Sequence, residues 1–204
     1  MMDLPEKGEP VMANTNAPYG FRQYQGTGSA PTYEQVVMYI ASTDTTDVFF
    51  GDPVVPLNTG YITQATSNTV QIAGIFVGCK YLSVSQKRTV WSNYWPGSDN
   101  NGDVEAYVVN DPNAKFVAIT GGTGATQADV NANVGFAIGS GNTATGISGA
   151  SIDIGTVNVT STLPFRIVSL VTQPPGAPGT EAGAYNTVVV AFNNVSTKQL
   201  TSVG

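Results

Sequence analysis

With 204 residues, the chain is long enough for one large domain, or for a modest domain with an extended arm. Only 11% of the residues are charged, the net charge is −6 and the eight basic residues are scattered, which argues against nucleic-acid binding because that needs basic residues clustered on one face. The chain also contains no histidine, which excludes the commonest general base and most zinc and copper sites, so we expect no enzyme and no cofactor or metal.

The N-terminal part of the sequence divides into two segments. Residues 1–12 carry charges and prolines and are predicted to be a disordered extension, or a leader before an alternative start at Met12. They lack the apolar stretch of a signal peptide, and no later run approaches the ~20 apolar residues of a membrane span, so we expect synthesis in the cytoplasm and no membrane partner.

Residues 13–32 mix Asn, Gly, Pro and Gln with isolated aromatic residues and show neither a helical nor a strand period. This pattern predicts an extended arm that reaches a neighbouring subunit. Large side chains in an otherwise small and polar stretch are the natural anchors of such an arm, and here they are Tyr19, Phe21, Arg22 and Tyr24.

Residues 33–204 are predicted to form a single β-rich domain. Short runs of β-branched and aromatic residues alternate with turns that contain Gly, Pro, Asn and Asp. The predicted strands are Val36–Ala41, Val54–Leu57, Thr69–Cys79, Lys80–Ser85, Thr89–Tyr94, Val104–Asn110, Ala114–Ile119, Pro164–Gln173 and Tyr185–Asn193. Their regular spacing predicts a mainly β fold, an antiparallel β-barrel or sandwich with a jelly-roll-like topology included.

One short helix is predicted within this domain. Thr126-Gln127-Ala128-Asp129 matches a capping box with Asp in place of Glu, and Gly135 is the stop signal, which gives a helix of about two turns. The Gly/Ser/Thr-rich stretch around 139–149 predicts a long surface loop, with Ile152-Asp153-Ile154 after it as a candidate edge strand.

Acidic and glycine-rich patterns in the sequence resemble chemical motifs but have simpler interpretations. Asp99-Asn100-Asn101-Gly102-Asp103 resembles the start of a calcium loop, yet its Gly comes too early for an EF-hand, so a solvated turn is predicted. Gly121-Gly122-Thr123-Gly124-Ala125-Thr126 lacks the Lys-Ser/Thr of a phosphate loop and is predicted to be a connection. Carboxylate pairs for glycoside hydrolysis would have to come from Asp99, Asp103, Glu105, Asp111 and Asp153.

The aromatic cluster of Trp91, Tyr94 and Trp95 has three interpretations. Such rings fill a core, anchor a protein interface or bind sugar rings, because they bury a large area at a low entropic cost. The lone cysteine, Cys79, lies in an apolar run and is predicted to be a buried, unreactive thiol.

Met12-Ala13-Asn14 and Asn16-Ala17-Pro18-Tyr19-Gly20-Phe21-Arg22 resemble the N-terminus of a family of tailed-bacteriophage virion proteins, the capsid cement or decoration proteins. The resemblance covers most of Met12 to Asn194 through Gly51-Asp52-Pro53-Val54, Gly74-Ile75-Phe76-Val77-Gly78, the Trp91 to Pro96 segment, Tyr107-Val108-Val109-Asn110-Asp111-Pro112, Pro164-Phe165-Arg166-Ile167-Val168 and the closing Tyr185 to Asn194. These motifs are short apolar or turn patterns, and their order carries the resemblance.

The resemblance implies a virion protein on the capsid exterior, with a β-rich body and an ordered arm. Its expected partners are the major capsid protein and other copies of itself, in a homotrimer by preference or in a homodimer. It would stabilise the head by bridging capsomers, since linked weak contacts add avidity. The alternatives are a virion carbohydrate- or receptor-binding β module that uses Trp95, and a hydrolase that uses Asp103 or Glu105.

Overall fold

The computed structural model describes residues 13–24, 35–67, 69, 71–172 and 177–198, and they form twelve strands. The strands are β1 (Arg22–Gln23), β2 (Gln35–Ile40), β3 (Pro53–Pro56), β4 (Ile62–Gln64), β5 (Gly74–Ser83), β6 (Arg88–Ser92), β7 (Val104–Val109), β8 (Lys115–Ile119), β9 (Asn133–Ala137), β10 (Ser151–Asn158), β11 (Phe165–Leu170) and β12 (Thr187–Phe192). The extension 1–12 predicted from sequence lies outside the described residues. No helix in the described ranges is long and apolar enough to cross a membrane.

The strands form two antiparallel sheets. The first sheet has the order β1-β8-β12-β11-β9-β10, and the second has the order β2-β7-β5-β3-β4 with β6 paired to β5. Both sheets keep free end strands, so the mainly β prediction is confirmed in its sandwich form and a closed barrel is not formed.

Most of the predicted strands match observed ones. Two of them, Thr69–Cys79 and Lys80–Ser85, are parts of the single long strand β5. The candidate edge strand is part of the eight-residue strand β10, and the predicted loop around 139–149 connects β9 to β10. The strands β1, β4 and β9 were not predicted.

The predicted helix is the main error in secondary structure. Only a 3-10 turn forms at Gln127–Asp129, where the Asp129 carboxylate accepts hydrogen bonds from the Thr126 amide at 2.7 Å and its hydroxyl at 2.8 Å. The helix does not continue because Asn131 adopts a positive φ of 72° and its amide donates to the Ile167 carbonyl. The chain then enters β9, so the capping signal marked a turn between strands.

Two apolar clusters form the core, and the second sheet separates them. Alternation along a strand places neighbouring side chains on opposite faces. On β5, Ile75 belongs to the first cluster and Phe76 to the second, and on β7 the same holds for Val109 and Val108. All four side chains are fully buried.

The described part of the N-terminal arm packs on its own domain. Phe21 is 1% exposed, and its ring stacks on Phe165 with 4.5 Å between the ring centroids. The Phe21 amide donates to the Gly51 carbonyl, and β1 then pairs with β8. Phe21 therefore belongs to the core, and its predicted role as an anchor to another subunit is not supported.

A buried carboxylate fixes the place where the N-terminal segment enters the fold. Asp52 is fully buried and accepts hydrogen bonds from the Phe49 amide at 2.8 Å, the Gln64 side chain at 2.7 Å and the Ser148 hydroxyl at 2.5 Å. These donors come from three separate parts of the chain. Burial is the larger influence and raises the pKa of Asp52, while the three hydrogen bonds oppose that rise.

We predict that Phe21→Ala lowers the free energy of unfolding by about 3–5 kcal/mol, because it removes a buried ring and leaves a cavity among aromatic neighbours. Chemical denaturation measures this change. Tyr24→Ala is the matched control, because Tyr24 is 43% exposed, and its effect should stay within about 0.5 kcal/mol. A similar loss in both variants would contradict the core position of Phe21.

We predict that Asp52→Asn lowers the free energy of unfolding by about 1–3 kcal/mol at neutral pH, because the amide nitrogen faces a hydrogen-bond donor. Because the folded pKa lies above the ordinary value of 3.8, wild-type stability from this group is greatest below pH 3.8 and falls as pH rises through the folded pKa. Denaturation across pH should show that the stability difference between the wild type and Asp52→Asn is greatest below pH 3.8 and shrinks as pH rises through the folded pKa of Asp52. The exposed Asp47→Asn serves as the control and should keep the wild-type dependence on pH.

Candidate interaction site

The face of the second sheet that also bears Ile75 and Val109 carries a row of large side chains beyond the first core cluster. Strand register places Tyr39 opposite Glu105, Glu105 opposite Lys80, and Lys80 opposite Trp91. All four therefore project from the same face, across four adjacent strands. Trp91 is 68% exposed and Tyr39 is 48% exposed.

A second row lies two residues along the strands. Val37 is opposite Tyr107, and Tyr107 is opposite Gly78. We call the surface formed by Val37, Tyr39, Leu82, Trp91 and Tyr107, with Lys80 and Glu105 between them, the aromatic face. It gathers several of the exposed large apolar side chains of the described residues on one side of one sheet.

Trp91 and Tyr107 form the most ordered part of this face. Their rings stack with 5.6 Å between centroids and 8° between planes. The strand between them places Gly78 opposite Tyr107, so no side chain separates the rings. A bulge makes Val77 the extra residue of β5 and turns it toward the groove beside Tyr107.

The aromatic face carries one ion pair. Lys80 and Glu105 form a salt bridge, and the Lys80 ammonium lies 5.3 Å from the centre of the Trp91 ring. The hydrogen bond that the Lys80 ammonium donates to the Glu105 carboxylate is the main cause that raises the pKa of Lys80. Because the two charges cancel, the face is neutral and presents mainly ring and aliphatic surface.

The other aromatic residues predicted for an interface are placed differently. Trp95 is fully buried and packs edge-on against Tyr81, because its backbone bridges to Val48 and turns the ring into the second cluster. Tyr94 is half-buried and stacks on Phe49 at 5.4 Å. Trp95 therefore belongs to the core, a position that does not support its predicted contact with a partner or a sugar, and Trp91 is the exposed member of the cluster.

Three of the arm residues remain partly or fully accessible. Tyr19 and Arg22 are half-buried and Tyr24 is exposed. The Arg22 guanidinium lies over two rings, 5.7 Å from the centre of Tyr19 and 5.1 Å from that of Phe50. Arg22 lines a cavity together with Val77 and Tyr107, and these two residues also line the groove beside Trp91.

Four of the carboxylates considered for glycoside hydrolysis accept hydrogen bonds from other groups of the chain. Asp99 accepts hydrogen bonds from Ser83 and Ser85, which lower its pKa. Asp103 accepts hydrogen bonds from the Ser42 amide and the Tyr61 hydroxyl, which lower its pKa. Asp111 and Asp153 accept hydrogen bonds from local backbone amides.

These carboxylates brace turns and do not converge on a common cleft. Among the described residues, no three His, Cys, Asp or Glu side chains form a group that could hold a metal ion. The calcium-loop pattern at Asp99 to Asp103 is therefore explained by turn geometry within the described structure.

The sequence of β2 contains a pattern that indicates the aromatic face, and the predicted interface residues were not based on it. In β2, Gln35-Val36-Val37-Met38-Tyr39-Ile40, apolar residues occupy both alternating sets of positions. A strand with one solvated face alternates between apolar and polar residues. Apolar residues on both faces therefore indicate a second contact surface, to which Val37, Tyr39 and Tyr107 belong.

Comparison with protein families, with curated proteins and with solved structures finds no match to this chain. The geometry of the aromatic face and its neighbouring groove is therefore the basis for functional inference, together with the ordered motifs described above.

We predict that Cys79 does not react with thiol reagents at neutral pH while the chain is folded. Cys79 is buried, and burial raises the pKa of its thiol to about 12, so the reactive thiolate is scarce. Titration with a chromogenic disulfide should give no signal from the folded protein and one thiol per chain in denaturant. Full reaction under native conditions would contradict this burial.

Proposed function

We propose that this protein is a bacteriophage head cement or decoration protein, which binds the outer surface of the major capsid shell as a homo-oligomer and stabilises it by bridging capsomers. The observation that carries the proposal is the aromatic face. A neutral face with Trp91, Tyr39 and Val37 uncovered is unusual for a monomer in water and typical of a surface that another protein covers.

The composition of the chain supports the same proposal. Only 11% of its residues are charged, and every charge buried at an interface must recover its lost hydration from a partner. Lys80 and Glu105 already neutralise each other within the aromatic face, so covering them requires no charge from the partner. The ordered motifs that resemble the cement family supply the virion context, and we favour a trimer over a dimer.

A carbohydrate- or receptor-binding β module is the second candidate. The groove beside Trp91 is lined by the stacked Tyr107 and by polar groups of Ser92, Asn93 and Gln35, with a volume of about 420 Å³. An exposed ring next to amide and hydroxyl groups is a chemistry that suits sugars. In this candidate Trp91 takes the role that the sequence assigned to Trp95.

We predict that Trp91→Glu weakens self-association, capsid binding or both by at least about tenfold, because it places a charge in the centre of an apolar contact. Val159→Glu is the matched control, since Val159 is 93% exposed and lies just after β10, on the first sheet. Mass measurement in solution and occupancy on purified undecorated capsids give the two readouts. Both variants should unfold at the same temperature as the wild type.

The outcomes separate the two candidates. Loss of occupancy or assembly in Trp91→Glu alone supports the cement role. Glycan binding that disappears in Trp91→Glu while assembly and occupancy stay intact supports the sugar-binding module. A wild-type monomer that does not bind capsids contradicts the cement proposal.

A further inference from the structure

A cavity lies beside the aromatic face, where the N-terminal segment crosses between the two sheets. Its volume is about 510 Å³, within the range of about 300–1,000 Å³ that small ligands occupy. Phe50, Val77 and Tyr107 form apolar walls, and Arg22 supplies the only charged side chain among the described residues that line it. Gln23 and Gln35 add amide groups at the same cavity.

The guanidinium of Arg22 lies near two aromatic rings and has one buried donor without a partner among the described residues. Its Nε atom is buried and has no hydrogen-bond partner. The described residues form one salt bridge, between Lys80 and Glu105, and Arg22 has no part in it. The group lies instead between the rings of Tyr19 and Phe50, at 5.7 and 5.1 Å from the ring centres.

This arrangement favours an anion in the cavity. A buried donor without a partner costs free energy that a bound acceptor recovers. A guanidinium presents its N–H groups as a planar fork that matches the two oxygens of a carboxylate. Contact with two rings holds that fork in one orientation before any ligand arrives, which reduces the entropic cost of binding.

The residues that line the cavity limit the kind of anion that it can bind. One guanidinium and two neutral amides balance a single negative charge better than the double charge of a phosphate. The apolar walls at Phe50, Val77 and Tyr107 suit a hydrocarbon or aromatic group attached to the anion.

We propose that the Arg22 cavity binds a carboxylate that stands next to an apolar side chain in a partner polypeptide. Tyr107, Val77 and Gln35 line both this cavity and the groove beside Trp91. A protein seated on the aromatic face would therefore reach the cavity with a residue at the edge of its contact surface. Because it takes the ligand to be part of a polypeptide, the inference rests on the proposed function.

The experiment uses the full chain and two matched pairs of probes. N-acetyl-phenylalanine and its amide differ only in the terminal carboxylate. Acetyl-Phe-Glu-amide and acetyl-Phe-Gln-amide differ only in a side-chain carboxylate. Nuclear magnetic resonance titration should detect binding of at least one acid at about millimolar dissociation constants, and its neutral partner should bind at least about tenfold more weakly.

Arg22→Met should weaken binding of that acid by at least about tenfold while it keeps the apolar stem of the side chain. Arg88→Met is the control, because Arg88 is exposed and its side chain bonds only Gln86 among the described residues. Equal binding of acid and amide, unchanged binding in Arg22→Met, or no binding of either acid overturns the inference. If Arg22→Met does not fold, the acid and amide pairs on the wild type decide.

Failure here is distinguishable from failure of the proposed function. The probe titrations report on the Arg22 cavity without capsids, and Trp91→Glu reports on assembly and occupancy without the probes. A chain that binds capsids but no carboxylate keeps its proposed function and loses this inference.

Discussion

The buried Asp52 carboxylate is the constraint on which the arrangement of the two sheets depends. A charge without partners in this position would be too costly, so the loop at Phe49, the strand that carries Gln64 and the loop at Ser148 must close around it. Only glycine fits at position 20, where the N-terminal segment passes these loops. Gly20 has a φ of 72°, and a Cβ there would lie 2.8 Å from the Gly51 carbonyl oxygen. Phe21 enters the core directly after that glycine.

The second sheet has apolar residues on both faces, and this has consequences for function. One face, with Ala106 and Val108, is covered by the second core cluster. The opposite face is covered by the first cluster at Ile75 and Val109, and farther along it Tyr107 is half-buried and Trp91 is exposed. Cross-strand stacking and the Lys80–Glu105 pair stabilise this face without hiding it. A surface built in this way is more consistent with a protein contact than with a catalytic cleft.

Local patterns predicted the strands well and the positions of side chains less well. Strands such as β2 and β12 were evident because each contains several β-branched residues in succession. Strand β9 was missed because Gly135 in its centre is a stop signal for a helix, whereas here the missing side chain makes room for Thr156 of the next strand. The arm was predicted to be extended, but its partner β8 is far along the chain, and only tertiary structure can identify it.

Trp91 and Trp95 show where sequence reasoning reaches its limit at the candidate site. The two residues are four positions apart in one aromatic cluster, yet one is 68% exposed and the other is fully buried. Strand β6 ends at Ser92, so the alternation that would relate the two rings stops between them. Burial of an apolar face would stabilise a contact without fixing the orientation of the partner. A guanidinium beside that face would fix it, because it pairs with a carboxylate at one position. The proposed bridging role would use both features, and Tyr107 lines the cavity of the one and belongs to the other.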